Sequence, residues 1–194
     1  MILLIIIVIA IVVFIYFNLK NNETEYINLI VGGGGYQILK FRNVKDFAIS
    51  KAGIDFIKKF EGFRAKAYND ARIPPVLTIG YGHTKNVYAG QVITEEQATI
   101  FLKEDLALAE KRVKNNVKIA ISQNQYDALV SHVFNNGIST TLFKIINLGT
   151  SQVYKGNLYD LQKWWTTTYI TAGSSSELAG LVTRRKEEYL IYTT

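Results

Sequence analysis

The chain has 194 residues, of which 48% are hydrophobic and 20% are charged, and it carries a formal net charge of +6. This length allows one domain of ordinary size and a short additional segment, and the composition excludes intrinsic disorder over most of the chain. The sequence has no cysteine, and its two histidines, His83 and His132, lack the spacing of a zinc motif, so we predict no metal and no cofactor.

The first segment in chain order is apolar throughout: residues 1–17 contain no charged or amide side chain. A helix over this segment spans about 25 Å at ~1.5 Å per residue, which reaches across a bilayer. No basic region precedes it and no small-residue cleavage site follows Phe17, so we predict an uncleaved transmembrane anchor over residues 1–19 that keeps the protein permanently attached. A cleaved signal peptide and a buried core helix are the alternatives. Lys20 weakly favours a cytoplasmic position for the following flank.

The next segment, residues 20–47, contains four consecutive glycines at positions 32–35. Glycine has the most backbone freedom to lose on folding, so the run predicts a flexible tether. The apolar stretches at residues 27–31 and 36–41 provide an alternative, in which they form a short strand pair.

After the tether the pattern becomes helical. Ser50 as N-cap and Gly62 as terminator predict a helix that ends at residue 61 or 62. Glycine, proline and β-branched residues across residues 68–84 predict a small β-hairpin lobe. Capping boxes and apolar periodicity then predict five helices, at residues 95–115, 122–137, 139–148, 157–165 and 177–192. The predicted class is α+β with helices dominant, in one folded domain of residues 48–194.

Two carboxylates in this domain are candidates for acid catalysis. Cleavage of a glycosidic bond needs a carboxylic acid that protonates the leaving oxygen and a second polar group ~5 to 10 Å away. Glu61 ends a helix with an apolar inner face, so we expect its carboxyl to be half-sheltered, which suits a proton donor. Asp70 lies beyond the helix break, and the hydroxyl of Thr78 could help an ionised Asp70 to hold a water. Spacing alone does not distinguish these carboxylates from ordinary surface groups.

Three blocks of sequence carry a resemblance to a known family. They are residues 61–64, 67–70 and 78–84 (EGFR, AYND, TIGYGHT), then 125–129 and 134–137 (QYDAL, FNNG), and finally 180–186 (GLVTRRK) with Glu188. In order and spacing they resemble the phage-type lysozymes, the endolysins of glycoside hydrolase family 24. The resemblance covers about residues 49–193, which is the whole folded part.

The resemblance implies a lysozyme-like fold and hydrolysis of the β-1,4 bond between N-acetylmuramic acid and N-acetylglucosamine in peptidoglycan. Matched position by position, Glu61 is the general acid, Asp70 is its acidic partner and Thr78 completes the catalytic site. The spacing departs from the family pattern, because seven residues, 71–77, separate Asp70 from Thr78 where the family usually has five. A longer hairpin returns Thr78 to the cleft only if the extra residues bulge outward.

The resemblance also concerns residues beside the catalytic three. Asn135 matches a cleft position and is expected, with Tyr81, to bind the substrate, although a helix cap is an equally good account of Asn135. His83 is expected to pack and hydrogen-bond beside the site rather than to act as a base. Arg184 and Arg185 are expected to interact with glutamates of their own helix or with helix-end carbonyls, and contact with anionic glycan is the alternative.

These observations predict a membrane-anchored muramidase of a bacteriophage or prophage, which serves host lysis or entry. The anchor would lie in the host inner membrane, facing the wall, or in a virion membrane. The expected partners are peptidoglycan and, through the anchor, membrane lipid; no nucleic-acid module is evident, and we expect the folded domain to be a monomer. The alternatives are a lytic transglycosylase, which releases an anhydro sugar, and an inactive cell-wall-binding or structural protein.

Overall fold

The computed structural model describes residues 26–32, 35–148, 153–154, 157–158, 161–173 and 176–194, and for the described residues up to 40 and between 153 and 158 it describes the backbone only. The transmembrane helix predicted for residues 1–19 lies outside the described residues. Among the described helices, none combines the length and the apolar character needed to span a bilayer.

The described elements confirm a helix-dominant α+β class with a small hairpin lobe. In chain order they are β1 (Tyr26–Gly32), β2 (Gly35–Phe41), a 3-10 turn (Val44–Asp46), α1 (Lys51–Glu61), β3 (Arg64–Asn69), β4 (Leu77–Gly80), α2 (Glu95–Asn116), α3 (Gln123–Asn136), α4 (Thr140–Leu148), β5 (Val153–Tyr154), β6 (Asn157–Leu158), α5 (Leu161–Thr167) and α6 (Ala179–Thr193). The described strands pair in two-stranded antiparallel sheets, β1 with β2, β3 with β4 and β5 with β6.

The glycine-rich segment forms a hairpin where we predicted a flexible tether. Strands β1 and β2 pair from Tyr26 opposite Phe41 to Gly32 opposite Gly35. The prediction of a flexible coil is therefore wrong over most of residues 26–41, and the alternative of a strand pair is correct. The isoleucine and tyrosine residues of both strands favour extended backbone. Directly after the hairpin, the backbone of Arg42 exchanges hydrogen bonds of 3.0 and 3.1 Å with Ile121 of the helical part.

Helix α1 begins and ends where its capping residues predict. The Ser50 side chain accepts a hydrogen bond of 3.1 Å from the Gly53 N–H, and Gly62, with φ of +72°, terminates the helix. The Ser50 N–H also donates to Asp127 of α3 at 3.0 Å. A Cβ on Gly53 would lie 2.8 Å from the Asp127 carboxyl carbon, so the glycine permits this close approach of α1 and α3. These contacts fix the start of α1 against α3, and Glu61 is the last residue of the same helix.

The hairpin lobe consists of β3 and β4, with Tyr68 opposite Thr78. The Asp70 N–H donates to the Val76 carbonyl at 3.0 Å and closes the loop between the two strands. Residues 71–75 of this loop are exposed, and Ile73 at its tip is 98% exposed. The extra residues of the loop therefore bulge into solvent beyond the Tyr68–Thr78 and Asn69–Leu77 pairs, while the strand register shifts further back, between Arg64 and Tyr68.

The core of the domain surrounds α2. This helix starts with a complete capping box between Thr94 and Gln97, as predicted, and buries one side chain per turn of its inner face: Ala98, Leu102, Leu106, Ala109 and Val113. Side chains of α3 and α4 complete the same cluster, among them Leu129, Val130, Ile145 and Ile146. Because α2 contacts both β4 and α3, one core connects the hairpin lobe to the helices.

One predicted helix boundary is wrong. We predicted a helix over residues 157–165, but residues 157–158 form β6 and helix α5 runs from Leu161 to Thr167. Strand β6 pairs with β5, with Val153 opposite Leu158, and this pairing replaces the first turn of the expected helix. The predicted helices at residues 95–115, 139–148 and 177–192 agree with α2, α4 and α6 to within two residues.

Candidate active site

Glu61 is half-sheltered at the end of α1, as predicted. Its side chain is 23% exposed, and its Oε1 atom accepts a hydrogen bond of 2.7 Å from Nη1 of Arg184 in helix α6. A second ion pair, of 2.6 Å between Lys59 and Glu187, joins the same two helices beside it. The end of α1 is thus held against α6 by two charged contacts that are distant in sequence.

Arg184 is almost completely buried and contacts groups on three helices. Its Nε atom donates to Oε1 of Glu188 at 3.2 Å, and its Nη2 atom lies 3.4 Å from the Ser131 hydroxyl of α3. Its guanidinium carbon lies 5.5 Å from the centre of the Phe60 ring, which is within the range of a cation–π contact. Arg184 therefore pairs with two carboxylates, one half-exposed and one buried.

The buried carboxylate, Glu188, is the centre of a polar cluster. It is fully buried, and its oxygens accept hydrogen bonds from Ser131 at 2.7 Å, from Arg185 at 2.5 Å and from the indole of Trp165 at 3.2 Å. Burial raises the pKa of Glu188, but the contact with His132 and the guanidinium charges outweigh burial and lower its pKa overall. Burial lowers the pKa of His132, so this ring is neutral near pH 7.

Asp70 lies at the start of the hairpin loop, where β3 ends. Its side chain is 17% exposed and accepts hydrogen bonds from the backbone N–H groups of Val76, at 2.9 Å, and Arg72, at 3.1 Å. The Arg72 side chain forms an ion pair with the same carboxylate. The hydrogen bond from Val76, followed by those from Arg72, lowers the pKa of Asp70 despite partial burial. Asp70 is therefore ionised at neutral pH, as a carboxylate that directs water requires.

Thr78 reaches the same part of the hairpin despite the long loop. It is 3% exposed, and its hydroxyl donates to the Val76 carbonyl at 3.0 Å. The Val76 N–H binds Asp70, so Val76 connects the two predicted site residues. Because the Thr78 hydroxyl donates its hydrogen to the Val76 carbonyl, its oxygen retains lone pairs that can accept a hydrogen bond from water.

The two predicted sugar-binding residues differ in accessibility. Asn135, at the end of α3, is exposed, and its side-chain oxygen accepts a hydrogen bond from Arg185. Tyr81 is 4% exposed and its hydroxyl donates to Glu95 at 2.7 Å. Burial, together with the neighbouring Glu95, raises the pKa of Tyr81 to about 12. This burial argues against direct contact between Tyr81 and a sugar and indicates a role in packing the hairpin lobe on α2.

The histidine of the hairpin lobe, His83, is buried between backbone and side-chain partners. Its Nδ1 atom lies 2.9 Å from Asp105, and its Nε2 atom lies 2.9 Å from the Lys85 carbonyl. Its ring also stacks on Phe101, with centroids 4.5 Å apart. These contacts fit the packing and hydrogen-bonding role predicted for it.

The predicted pairing of Arg184 and Arg185 with glutamate of their own helix is confirmed at Glu188. Sequence reasoning missed the rest of the cluster, namely Ser131, His132 and Trp165. The sequence carried no local signal for it, because charged residues that share one helix face, such as 184, 185 and 188, ordinarily face solvent. Among the described residues, no three histidine or carboxylate side chains lie close enough together to hold a metal ion.

A half-buried glutamate, followed by a hairpin that carries an ionised aspartate, provides the groups that acid-catalysed glycoside hydrolysis requires. Comparison with known proteins defines the family. The profile of the phage lysozyme family matches residues 58–188. The chain therefore belongs to the phage lysozyme family and is a glycoside hydrolase of the muramidase type.

Individual relatives support this assignment. An endolysin of Acyrthosiphon pisum secondary endosymbiont phage 1 is 39% identical over 148 residues, which cover 74% of this chain and 97% of that protein. A protein of bacteriophage PS119 named SAR-endolysin is 33% identical over 133 residues, which cover 66% of this chain and 73% of that protein. The chain spans about half of two longer relatives, the endolysins of Bacillus phages B103 and PZA (54% and 55%).

Solved structures give the same fold. The crystal structure of a point mutant of P22 lysozyme superimposes with a TM-score of 0.65 at 32% sequence identity, and the match covers 76% of this chain and 99% of that chain. The helix-dominant fold with its small two-stranded sheet is therefore lysozyme-like, as the resemblance implied.

Proposed function

We propose that this chain is a peptidoglycan muramidase that hydrolyses the β-1,4 bond between N-acetylmuramic acid and N-acetylglucosamine, with Glu61 as the proton donor. The observation that carries the proposal is the position of Glu61, half-sheltered at the end of α1 in a member of the phage lysozyme family. In the reaction, protonated Glu61 transfers its proton to the bridging oxygen as the bond to the sugar carbon breaks.

Asp70 and Thr78 supply the second half of the chemistry. Asp70 is ionised, and its charge either directs the attacking water or stabilises positive charge on the sugar ring. Thr78 offers a hydroxyl oxygen within the same hairpin, connected to Asp70 through Val76. This connection supports a joint role for the two residues in holding water.

The products of digestion test this proposal. Purified peptidoglycan sacculi are incubated with the detergent-solubilised full chain, and the released fragments are analysed by mass spectrometry. Hydrolysis yields reducing muramic acid ends, which are heavier by one water than the anhydro ends left by a lytic transglycosylase. Anhydro products would reject hydrolysis, and binding to sacculi without release of fragments would indicate an inactive wall-binding protein.

We also propose that residues 1–19 attach the enzyme to a membrane in a phage-lysis context. The support is the apolar sequence of this segment and the similarity to a relative named SAR-endolysin. We expect the full chain to remain in the membrane pellet after carbonate extraction. Ile9→Arg places a charge at the centre of the segment, where it costs about 3 kcal/mol, and should move much of the protein to the soluble fraction. Wild-type protein in the soluble fraction at native mass would contradict permanent attachment.

A further inference from the structure

Glu188 uses both of its carboxylate oxygens inside the protein. Oε1 accepts from Ser131 and from Nε of Arg184, and Oε2 accepts from Nη1 of Arg185 and from the Trp165 indole. The side chain is fully buried, so it does not itself contact substrate. A buried carboxylate with this many donors is rigid. It therefore holds the two arginines that donate to it in fixed positions.

The first of these arginines, Arg184, also contacts the proposed proton donor, Glu61. Arg184 is 4% exposed, and its Nη1 atom donates to Glu61 while its Nε atom donates to Glu188. A planar guanidinium that is fixed at Nε has little freedom to rotate, so Glu188 sets the position from which Nη1 reaches Glu61. The negative charge of Glu188 also offsets the positive charge that Arg184 presents to Glu61.

The second arginine contacts Asn135, which the sequence predicts to bind the substrate. Arg185 donates to Glu188 through Nη1 and to the side-chain amide of Asn135 through Nη2. Because a guanidinium only donates, the Asn135 atom that faces it is the carbonyl oxygen, and the amide NH₂ is left for a ligand. Asn135 is exposed and borders a cavity of about 350 Å³ together with Asn136, Tyr169 and Leu181.

We propose that Glu188 is a positioning residue for catalysis, which orients Glu61 through Arg184 and the amide of Asn135 through Arg185. This inference rests on the proposed function, in which Glu61 donates the proton. Glu188 then has two separate effects. It orients the carboxyl of Glu61 for proton donation, and it turns the NH₂ group of Asn135 outward, where it can donate a hydrogen bond to a carbonyl oxygen such as that of an N-acetyl group.

The charged groups around the Glu61–Arg184 pair balance one another. The groups that face the Glu61–Arg184 pair are Arg185 and Glu188 on α6 and the neutral His132 on α3, with the Lys59–Glu187 pair at the surface. With Glu61 ionised, two carboxylates balance two guanidinium groups. Glu188→Gln leaves an excess positive charge in the cluster and weakens the acceptor that fixes both arginines.

The kinetics of Glu188→Gln, measured well below its melting temperature, test the positioning role directly. Because both arginines lose their shared acceptor, kcat should fall about tenfold and KM should rise about three- to tenfold. A purely structural role would lower the melting temperature and leave kcat and KM of the folded variant unchanged, which would overturn the inference. Glu61→Gln, measured in parallel, separates the two proposals. If Glu61→Gln stays active, the proposed function is refuted, whatever the result for Glu188→Gln.

Two lysine substitutions test the positioning part without removing a buried charge. Lysine keeps the charge but cannot bridge two partners as a guanidinium does. For the full chain acting on soluble glycan chains from peptidoglycan, Arg184→Lys should lower kcat at least tenfold with KM within about twofold of wild type. Arg185→Lys should raise KM about three- to tenfold with a smaller change in kcat.

The controls lie on the same elements. Lys186→Arg, at an exposed position beside the two arginines, should change neither constant. Asn135→Asp retains the contact with Arg185 but removes the outward NH₂, so it should reproduce the rise in KM. The same change in kcat and in KM for both lysine variants, or no change in either, would refute the positioning role. These charge-conserving variants decide the question if Glu188→Gln does not fold.

Discussion

Glu61→Gln is expected to lower the rate of peptidoglycan clearing by about 10²- to 10⁴-fold, the usual contribution of a general acid. Glutamine has the same size and can accept the hydrogen bond from Arg184, but its amide has no acidic proton to transfer to the leaving oxygen. Arg184 keeps its pairing with buried Glu188, so we expect the melting temperature to stay close to that of wild type. Turbidity of a sacculus suspension and thermal unfolding measure the two quantities.

A matched control separates the role of Glu61 from the general effect of losing a carboxylate. Glu104→Gln neutralises an exposed carboxylate of α2 and should leave clearing unchanged. Residual activity of Glu61→Gln above a few per cent, with the protein folded, would show that Glu61 is not the proton donor.

Trp165→Ala is expected to destabilise the domain by ~3 to 5 kcal/mol, the largest effect on stability among the substitutions considered. The indole is fully buried and contacts the rings of His132, Tyr189 and Tyr192, so its removal leaves a cavity in the helical core. The substitution also removes the indole N–H that donates to Glu188 at 3.2 Å. We expect a melting temperature lower by ~10 °C or more.

The neighbouring tryptophan is the control for Trp165. Trp164 is only partly buried at the edge of the same core. Trp164→Ala removes the same number of atoms and leaves less of a cavity, so we expect less than half of the destabilisation measured in urea unfolding. Equal effects at the two positions would contradict the assignment of Trp165 to the core around Glu188.

Local signals in the sequence predicted most helix boundaries. Ser50 and Gly62 bracket α1, and the capping box of Thr94 and Gln97 opens α2, because each cap is a contact between residues at most four positions apart. The hairpin of residues 26–41 was less predictable, since a run of glycines is compatible with both a coil and a turn between strands. Pairing between the two strands decided the outcome.

The site was predicted in part. Glu61 is half-sheltered, as its position at the end of an amphipathic helix indicated, and the long loop after Asp70 bulges outward, with Ile73 exposed at its tip. Tyr81 is buried against Glu95, which the motif around it did not reveal. Its burial depends on the packing of the hairpin lobe against α2, and no local pattern encodes that contact.

The sequence by itself determined the class of the domain, the ends of its main helices and the identity of the carboxylates that could serve as acids, because periodicity, caps and motif residues act over short distances along the chain. Only the tertiary structure decided which charges meet. Glu61 and Arg184 are 123 positions apart along the chain, and Ser131 and Glu188 are 57 apart. Burial brings these groups together, because each then needs from the protein the partner that water would otherwise provide.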